Sequence, residues 1–275
     1  MKLTDSLREA QALGLDRIDA QLLHLFALGR EPHERAWLLA HDTDELDAAA
    51  LARLAPLLQR RAAGEPLAYI TGRKEFFGLA LHIDARVLDP RPDTETLVEW
   101  ALEHMSESGP CEVMDLGTGS GAIALALQHQ RPLSSVSAVD ASQDALTVAE
   151  ANAQRLQLPV RFIQSHWLRD VTETFNLIVS NPPYIRADDP HLVALTHEPL
   201  QALASGPDGL DDIRAIIEQA PARLKPGGWL LLEHGYDQAE AVRALFTAAG
   251  WQNAQSRRDL AGIERCSGAQ KASSP

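Results

Sequence analysis

Cysteine is nearly absent: Cys111 and Cys266 are the only two among 275 residues. Two thiols make no disulfide framework, and neither sits in a His/Asp/Glu cluster at metal-ligand spacing. No metal site is expected, and a reduced, cytoplasmic setting is. No apolar run is long enough to cross a bilayer, so no membrane association is expected. The first 17 residues are charged throughout and lack the apolar core of a secretory signal. Positive charge is also scarce. Against 38 Asp and Glu stand 25 Lys and Arg, a formal charge of −13. A protein that neutralised many phosphates would be basic, so stable nucleic-acid binding is not expected. There is no internal repeat, and a monomer is the expectation.

What is present suits a large domain and a small one, with 45% hydrophobic residues to build their cores. Residues 1–64 read as all-helical. Leu3, Leu7, Ala10 and Leu13 fall at helical spacing and stop at Gly14. Asp16 caps a second helix through Phe26, Pro32 suits the first position of a third, and Asp44 opens a fourth that runs past Pro56. The bundle reads either as a packing appendage or as a docking module for a macromolecular substrate, and its residues do not separate the two. Residues 65–92 are punctuated by Pro66, Gly72, Gly78, Pro90 and Pro92. Phe76-Phe77 and Leu79 to Ile83, divided by Gly78, predict a β-hairpin in this linker. Asp93 is expected to cap the helix that opens the large domain, residues 93–275.

From residue 111 strands and helices alternate. Strands are predicted at 111–116, 136–140, 160–164, 175–180, 229–233, 251–256 and 263–267, with helices at 122–129, 143–156, 210–220 and 239–249. This pattern predicts an α/β fold, a doubly wound, mostly parallel sheet of seven strands with helices on both faces. The tail, residues 269–275, is small and polar and is expected to fray.

Two loops carry the chemistry. Gly117-Thr118-Gly119-Ser120-Gly121 joins the first strand of the large domain to its helix. Glycines there permit positive φ and close approach of a ligand to the backbone, and the helix N-terminus favours an anionic group. Asp140 ends the next strand about 20 residues on, where a carboxylate accepts hydrogen bonds from ribose hydroxyls. Alone, the loop also fits a dinucleotide fingerprint. The second loop, Asn181-Pro182-Pro183-Tyr184, follows a short apolar strand. Two prolines forbid both helix and ladder and hold Asn181 extended. By itself the segment reads equally as a turn that ends a strand. Beside the glycine loop it reads as a cradle for a planar NH2. Asn181 oxygen and the Pro182 carbonyl accept the two hydrogens, and Tyr184 covers the face. An NH2 held next to a sulfonium methyl is what methyl transfer to nitrogen requires, so the pair points to S-adenosylmethionine. Trp167, after the third strand of the large domain, packs on the adenine or is a core tryptophan.

These motifs resemble class I S-adenosylmethionine-dependent methyltransferases. With Tyr69-Ile70-Thr71-Gly72, Glu75-Phe76-Phe77-Gly78, Pro90 to Glu95, Glu198-Pro199 and Gly206 to Leu210, the chain is similar to the release factor glutamine methyltransferases, the HemK/PrmC family, over nearly its whole length. The resemblance implies methylation at N5 of the glutamine in the Gly-Gly-Gln motif of peptide chain release factors, with the N-terminal domain helping to grip that partner. It implies that Gly117, Thr118, Gly119, Ser120, Gly121, Asp140, Trp167 and Asn181 bind the cofactor, and that Asn181, Pro182, Pro183 and Tyr184 bind the substrate amide. Asn181, Pro182 and Tyr184 are the expected catalytic set. His166 stands where the family usually has Asp, His234 replaces a usual apolar residue, and Asp89 and Asp93 stand for the usual Ile and Glu. His166, His197 and His234 are read as structural, and no strong base is expected. The rival reading is an adenine-N6 methyltransferase acting on nucleic acid, because adenine also presents a planar NH2.

Overall fold

Leucine spacing and aspartate caps organise the front of the chain. The computed structural model describes residues 1–273. Its helices α1 (Leu3–Ala12), α2 (Arg17–Ala27), α3 (Arg35–Ala40), α4 (Ala48–Ala62) and α5 (Leu67–Thr71) form one compact unit ending at Arg73. Asp16 caps α2 as expected, accepting from the Asp19 amide at 2.8 Å. The cap of α4 is Asp47, which accepts from Ala50 at 2.6 Å, and not Asp44. The Asp44 amide and carbonyl are already spent on His41 and Leu3, which holds it in the preceding turn. Helix α3 starts three residues after Pro32, once the Glu34 carboxylate has taken the Glu31 amide. Helix α5 lies in the stretch read as linker, and its Ile70 packs into a core with Leu23, Leu54 and Leu58.

The second unit begins at Lys74. Strands β1 (Arg73–Phe76) and β2 (Leu79–His82) form the predicted hairpin. Its turn residues Phe77 and Gly78 have φ of 49° and 79°. Positive φ at both central positions matches the right-handed twist of a tight hairpin, and Gly78 takes it without steric cost. Helix α6 (Glu95–Glu103) then starts from a 3-10 turn, Pro92–Thr94. Asp93 does not cap it: Asp93 lies inside that turn, and its carboxylate pairs with Arg265 at 3.3 Å.

The rest alternates as β3 (Glu112–Leu116), α7 (Ala122–Gln130), β4 (Ser135–Asp140), α8 (Gln143–Leu156), β5 (Arg161–Gln164), β6 (Phe175–Ser180), α9 (Asp211–Gln219), β7 (Leu224–Glu233), α10 (Ala239–Ala248), β8 (Gln252–Arg258) and β9 (Glu264–Gln270). Among the described residues these strands form one seven-stranded sheet in the order β5-β4-β3-β6-β7-β9-β8. It is parallel from β5 to β7, and β9 pairs antiparallel with both β7 and β8. The doubly wound sheet is as expected, and the strand at 263–267 is longer than its apolar run suggested because both of its edges are paired. Leu116, Ile178, Leu230, Ile213 and Phe246 are fully buried in its main core. The chain runs outward from β3 through β4 to β5 and returns to β6 on the other side of β3. That reversal opens a crevice at the carboxyl ends of β3 and β6, where open α/β sheets bind ligands.

Candidate active site

Leu116 and Ser180 are partners in the parallel register of β3 and β6. The glycine loop and Asn-Pro-Pro-Tyr therefore leave adjacent strands at the same level. Ser180 Oγ fixes this by donating to the Leu116 carbonyl at 2.7 Å. Between them lies a cleft of about 340 Å³, lined by Gly117, Gly119, Asp140, Trp167, Asn181 and Pro183 among others.

The glycines work for different reasons. Gly119 has φ 55°, and a Cβ there would meet nothing, so its face is open to a ligand. Gly117 has φ 68°, and its missing side chain leaves room for the Trp167 ring, 3.2 Å from where a Cβ would stand. Trp167 is itself left-handed at φ 55°, and its indole N–H donates to Asp212 Oδ1 at 3.2 Å. Its ring packs against the loop as part of the cleft wall. Asp140 accepts from the Gly119 amide through Oδ2 and the Ser142 amide through Oδ1, both at 2.9 Å. Burial pushes its pKa up, against the pull of these amides. Each oxygen retains a lone pair for a hydroxyl donor.

Thr118, Ser120 and Gly121 are behind the cleft and do not line it. The Thr118 hydroxyl donates to Asp115 Oδ2 at 2.6 Å, the Ser120 carbonyl accepts from Asn152, and Gly121 (φ 85°) precedes α7. Asp115 is fully buried, its Oδ1 has no partner, and burial raises its pKa to about 7. With the open face of Gly119 and the Asp140 carboxylate lining the cleft, the residues fit the expected S-adenosylmethionine.

Asn181 is half-buried in the cleft wall. Its Nδ2 donates to Thr94 Oγ1 at 3.1 Å. One of the two N–H groups of the amide is thus spent on the protein, and Oδ1 is left for an incoming donor. Pro182 is buried and Pro183 lines the cleft. Tyr184 differs from expectation. Its ring packs on the sheet core and its hydroxyl donates inward to Glu233 Oε1 at 3.3 Å, so it does not line the cleft. Burial and the Glu233 carboxylate raise the phenol's pKa. The Tyr184 carbonyl accepts from Gln238, and a Cβ on Gly209 would stand 2.2 Å from it. That contact accounts for Gly209, the second glycine of the segment from Gly206 to Leu210.

The cleft also takes in residues to which the sequence analysis assigned no site role. Arg86, Pro199, Gln201, Ala202 and Asp212 also line the cleft. Pro199 arrives there because buried Glu198 takes Arg91 at 2.6 Å and the Asp89 amide at 3.3 Å. The quoted Arg91 and Glu198 were the available signal. Glu95 serves the hairpin instead, accepting from the Phe77 amide at 3.1 Å. Asn152 accepts from the His82 amide and donates to the His82 and Ser120 carbonyls, which ties β2 to the glycine loop. His166 is exposed at the cleft edge. His234 is fully buried between the Gly235 carbonyl and Ser267 Oγ, at 2.9 and 2.8 Å. Burial pushes its pKa down, so it is a neutral, structural ring.

Known proteins agree with this architecture. Residues 94–250 match the Methyltransferase small domain, and residues 2–72 match the PrmC N-terminal domain. A protein of Bordetella pertussis named Release factor glutamine methyltransferase is 49% identical, covering 93% of this chain and 95% of its own. One of the same name from Escherichia coli is 43% identical, covering 96% and 95%. The fold alone is shared with the 16S rRNA N2 G1207 methyltransferase of T. thermophilus, solved with AdoMet and guanosine. That match has a TM-score of 0.55 and 21% identity, over 72% of this chain and 49% of that one. At these levels of identity and coverage, the chain belongs to the release factor glutamine methyltransferase family.

Proposed function

We propose that this protein transfers a methyl group from S-adenosylmethionine to N5 of the glutamine in the Gly-Gly-Gln motif of peptide chain release factors, in the cytoplasm. The observation that carries the reading is Asn181 Oδ1, freed by the bond to Thr94 and set beside the glycine loop at matched strand ends. Relatives at 43–49% identity are named release factor glutamine methyltransferases, which favours a glutamine amide over adenine as the acceptor.

When bound, S-adenosylmethionine supplies an electrophilic methyl on a sulfonium. Asp140 would accept the ribose hydroxyls, and the open backbone at Gly117 and Gly119 would let the cofactor approach closely. A glutamine amide nitrogen is a poor nucleophile because its lone pair is delocalised into the carbonyl. Asn181 Oδ1 and the Pro182 carbonyl accept its two hydrogens and push electron density back onto nitrogen. Holding that nitrogen in line with the methyl supplies the remaining advantage. Methyl transfer would pass the positive charge from sulfur to nitrogen and spread it over both in the transition state, so the apolar walls of Trp167 and Pro183 would help by thinning out water. The proton leaves after transfer, and no strong base is required. Tyr184 acts from behind, steadying the loop through Glu233 and Gln238. The N-terminal helical unit helps grip the release factor.

Mass spectrometry of a release factor incubated with the protein and S-adenosylmethionine should show a single methyl on the Gly-Gly-Gln peptide. An unmodified peptide beside a methylated adenine oligonucleotide would overturn the reading. Asp140→Ala should weaken S-adenosylmethionine binding by about 10- to 100-fold in calorimetry, the value of losing hydrogen bonds to a charged acceptor. Unchanged affinity would remove the ribose role.

A further inference from the structure

The cleft has two lips that come from distant parts of the chain. One is Arg86, Val87 and Leu88, which follow the hairpin; the other is Pro199, Gln201 and Ala202. The first lip runs on into Asp89 and Arg91, and Glu198 immediately precedes the second. Glu198 is 8% exposed, and between Arg186 and Ala202 it is the one buried residue. A loop that buries a carboxylate while Val193 and Leu200 stand 77% and 63% exposed is not seated by its apolar side chains.

The carboxylate is met from the other lip. Arg91 Nη2 donates to Glu198 Oε1 at 2.6 Å, and the Asp89 amide donates to Oε2 at 3.3 Å. Each oxygen has its own donor, which fixes the direction of the carboxylate as well as its place. The Asp89 carboxylate lies 3.7 Å from the Arg91 guanidinium and 3.0 Å from Lys74 Nζ. Two cations and two anions thus balance within one group. A leucine at 198 would be cheaper to desolvate but would have no preferred partner, so the pair supplies register more than adhesion. At the root of the loop the Tyr184 and Ile185 amides donate to the Leu203 carbonyl, and the Ser205 amide returns a bond to the Ile185 carbonyl. Backbone closes the root, and the buried pair decides how the stretch beyond it meets the cleft.

We propose that Arg91 and Glu198 are positioning residues, a clasp that joins the two lips and sets how firmly the cleft holds S-adenosylmethionine. The proposal rests on that cofactor occupying the cleft. Wall contacts that are alike in the bound and the reacting cofactor act on affinity and leave the chemical step alone. Opening the clasp therefore costs KM and residence time, whereas losing the acceptor Asn181 costs kcat.

The test is calorimetric and stopped-flow binding of S-adenosylmethionine, with steady-state methylation of release factor in parallel. The proteins are wild type, Arg91→Met, Arg91→Lys, Glu198→Gln and the Arg91→Met/Glu198→Gln double variant, each checked for a native circular dichroism spectrum. Arg91→Met should weaken binding about 10- to 100-fold, the worth of a hydrogen bond to a charged group, chiefly through faster dissociation. KM for S-adenosylmethionine should rise by a similar factor, with kcat within a few-fold of wild type. Arg91→Lys keeps the charge but not the fork and should fall between the two. The double variant should bind no more weakly than Arg91→Met, because it leaves no buried charge unpaired. Hydrogen exchange on the wild-type protein needs no variant: bound cofactor should slow exchange in the peptide spanning residues 197–203. An Arg91→Met protein of wild-type affinity, a loss confined to kcat, a double variant weakened by the product of both factors, or exchange at 197–203 untouched by cofactor would each overturn the clasp. Wild type that binds no S-adenosylmethionine would overturn the cofactor reading itself, whereas equally tight binding by wild type and Arg91→Met sinks the clasp alone.

Discussion

Asn181→Ala is expected to lower kcat by roughly 100- to 1,000-fold, the scale of removing one preorganised polar contact to a reacting group. The physical reason, on the proposed mechanism, is that Oδ1 accepts a hydrogen from the nitrogen whose electron density must rise. Its bond to substrate N–H is weak in the resting amide and strengthens as nitrogen becomes cationic, so the loss falls on kcat and not on cofactor affinity. The two prolines that follow it and the bond to Thr94 mean that little freedom is lost when the amide docks. Alanine keeps the extended backbone that Pro182 demands, so the loop should remain in place. Single-turnover methylation with cofactor affinity measured in parallel is the check. A rate within a few-fold of wild type would take Asn181 out of the mechanism.

Gly209→Ala is expected to produce the largest loss of stability among conservative changes near the site. Gly209 sits at φ 76°, and a Cβ there would stand 2.2 Å from the Tyr184 carbonyl oxygen and 2.7 Å from Gln238 Nε2. A left-handed alanine costs about 1–2 kcal/mol, and overpacking costs about 1–3 kcal/mol more. A total near 3 kcal/mol corresponds to a Tm lower by about 6–12 °C for a domain of this size. The clash is with backbone, so it cannot be relieved by turning a side chain. The loop from Pro182 to Ile185 must move, and Tyr184 and Ile185 already hang on the Leu203 carbonyl at 3.2 and 2.9 Å. Activity should therefore fall beyond what the melting temperature alone explains when assayed well below the transition. A calorimetric scan with Tm unchanged would refute the close approach.

Glycine and proline made much of the site legible in the chain. The Gly117–Gly121 loop and Asn181-Pro182-Pro183 are local devices, and the backbone conformations they impose do not depend on what packs around them. Alternation of short β-branched runs with helical spacing likewise implies a doubly wound sheet, because each strand needs cover on both faces. Caps were harder. Asp44 and Asp47 are equivalent as letters, and only the turn that occupies Asp44 decides between them. Asp93 failed as a cap because an arginine far along the chain claims its carboxylate.

The residues Asn181, Asp140 and the glycine loop thus announced themselves through local sequence, since a rigid turn or a strand end needs only its neighbours to define it. What the tertiary structure alone decided is the company they keep. Asn181 and its partner Thr94, and Tyr184 and its partner Glu233, are separated by scores of residues, and the bond within each pair exists only once the chain has folded. The inward turn of the Tyr184 hydroxyl follows from the same cause: a buried carboxylate seeks a donor, and no pattern in the chain reports where that carboxylate will be.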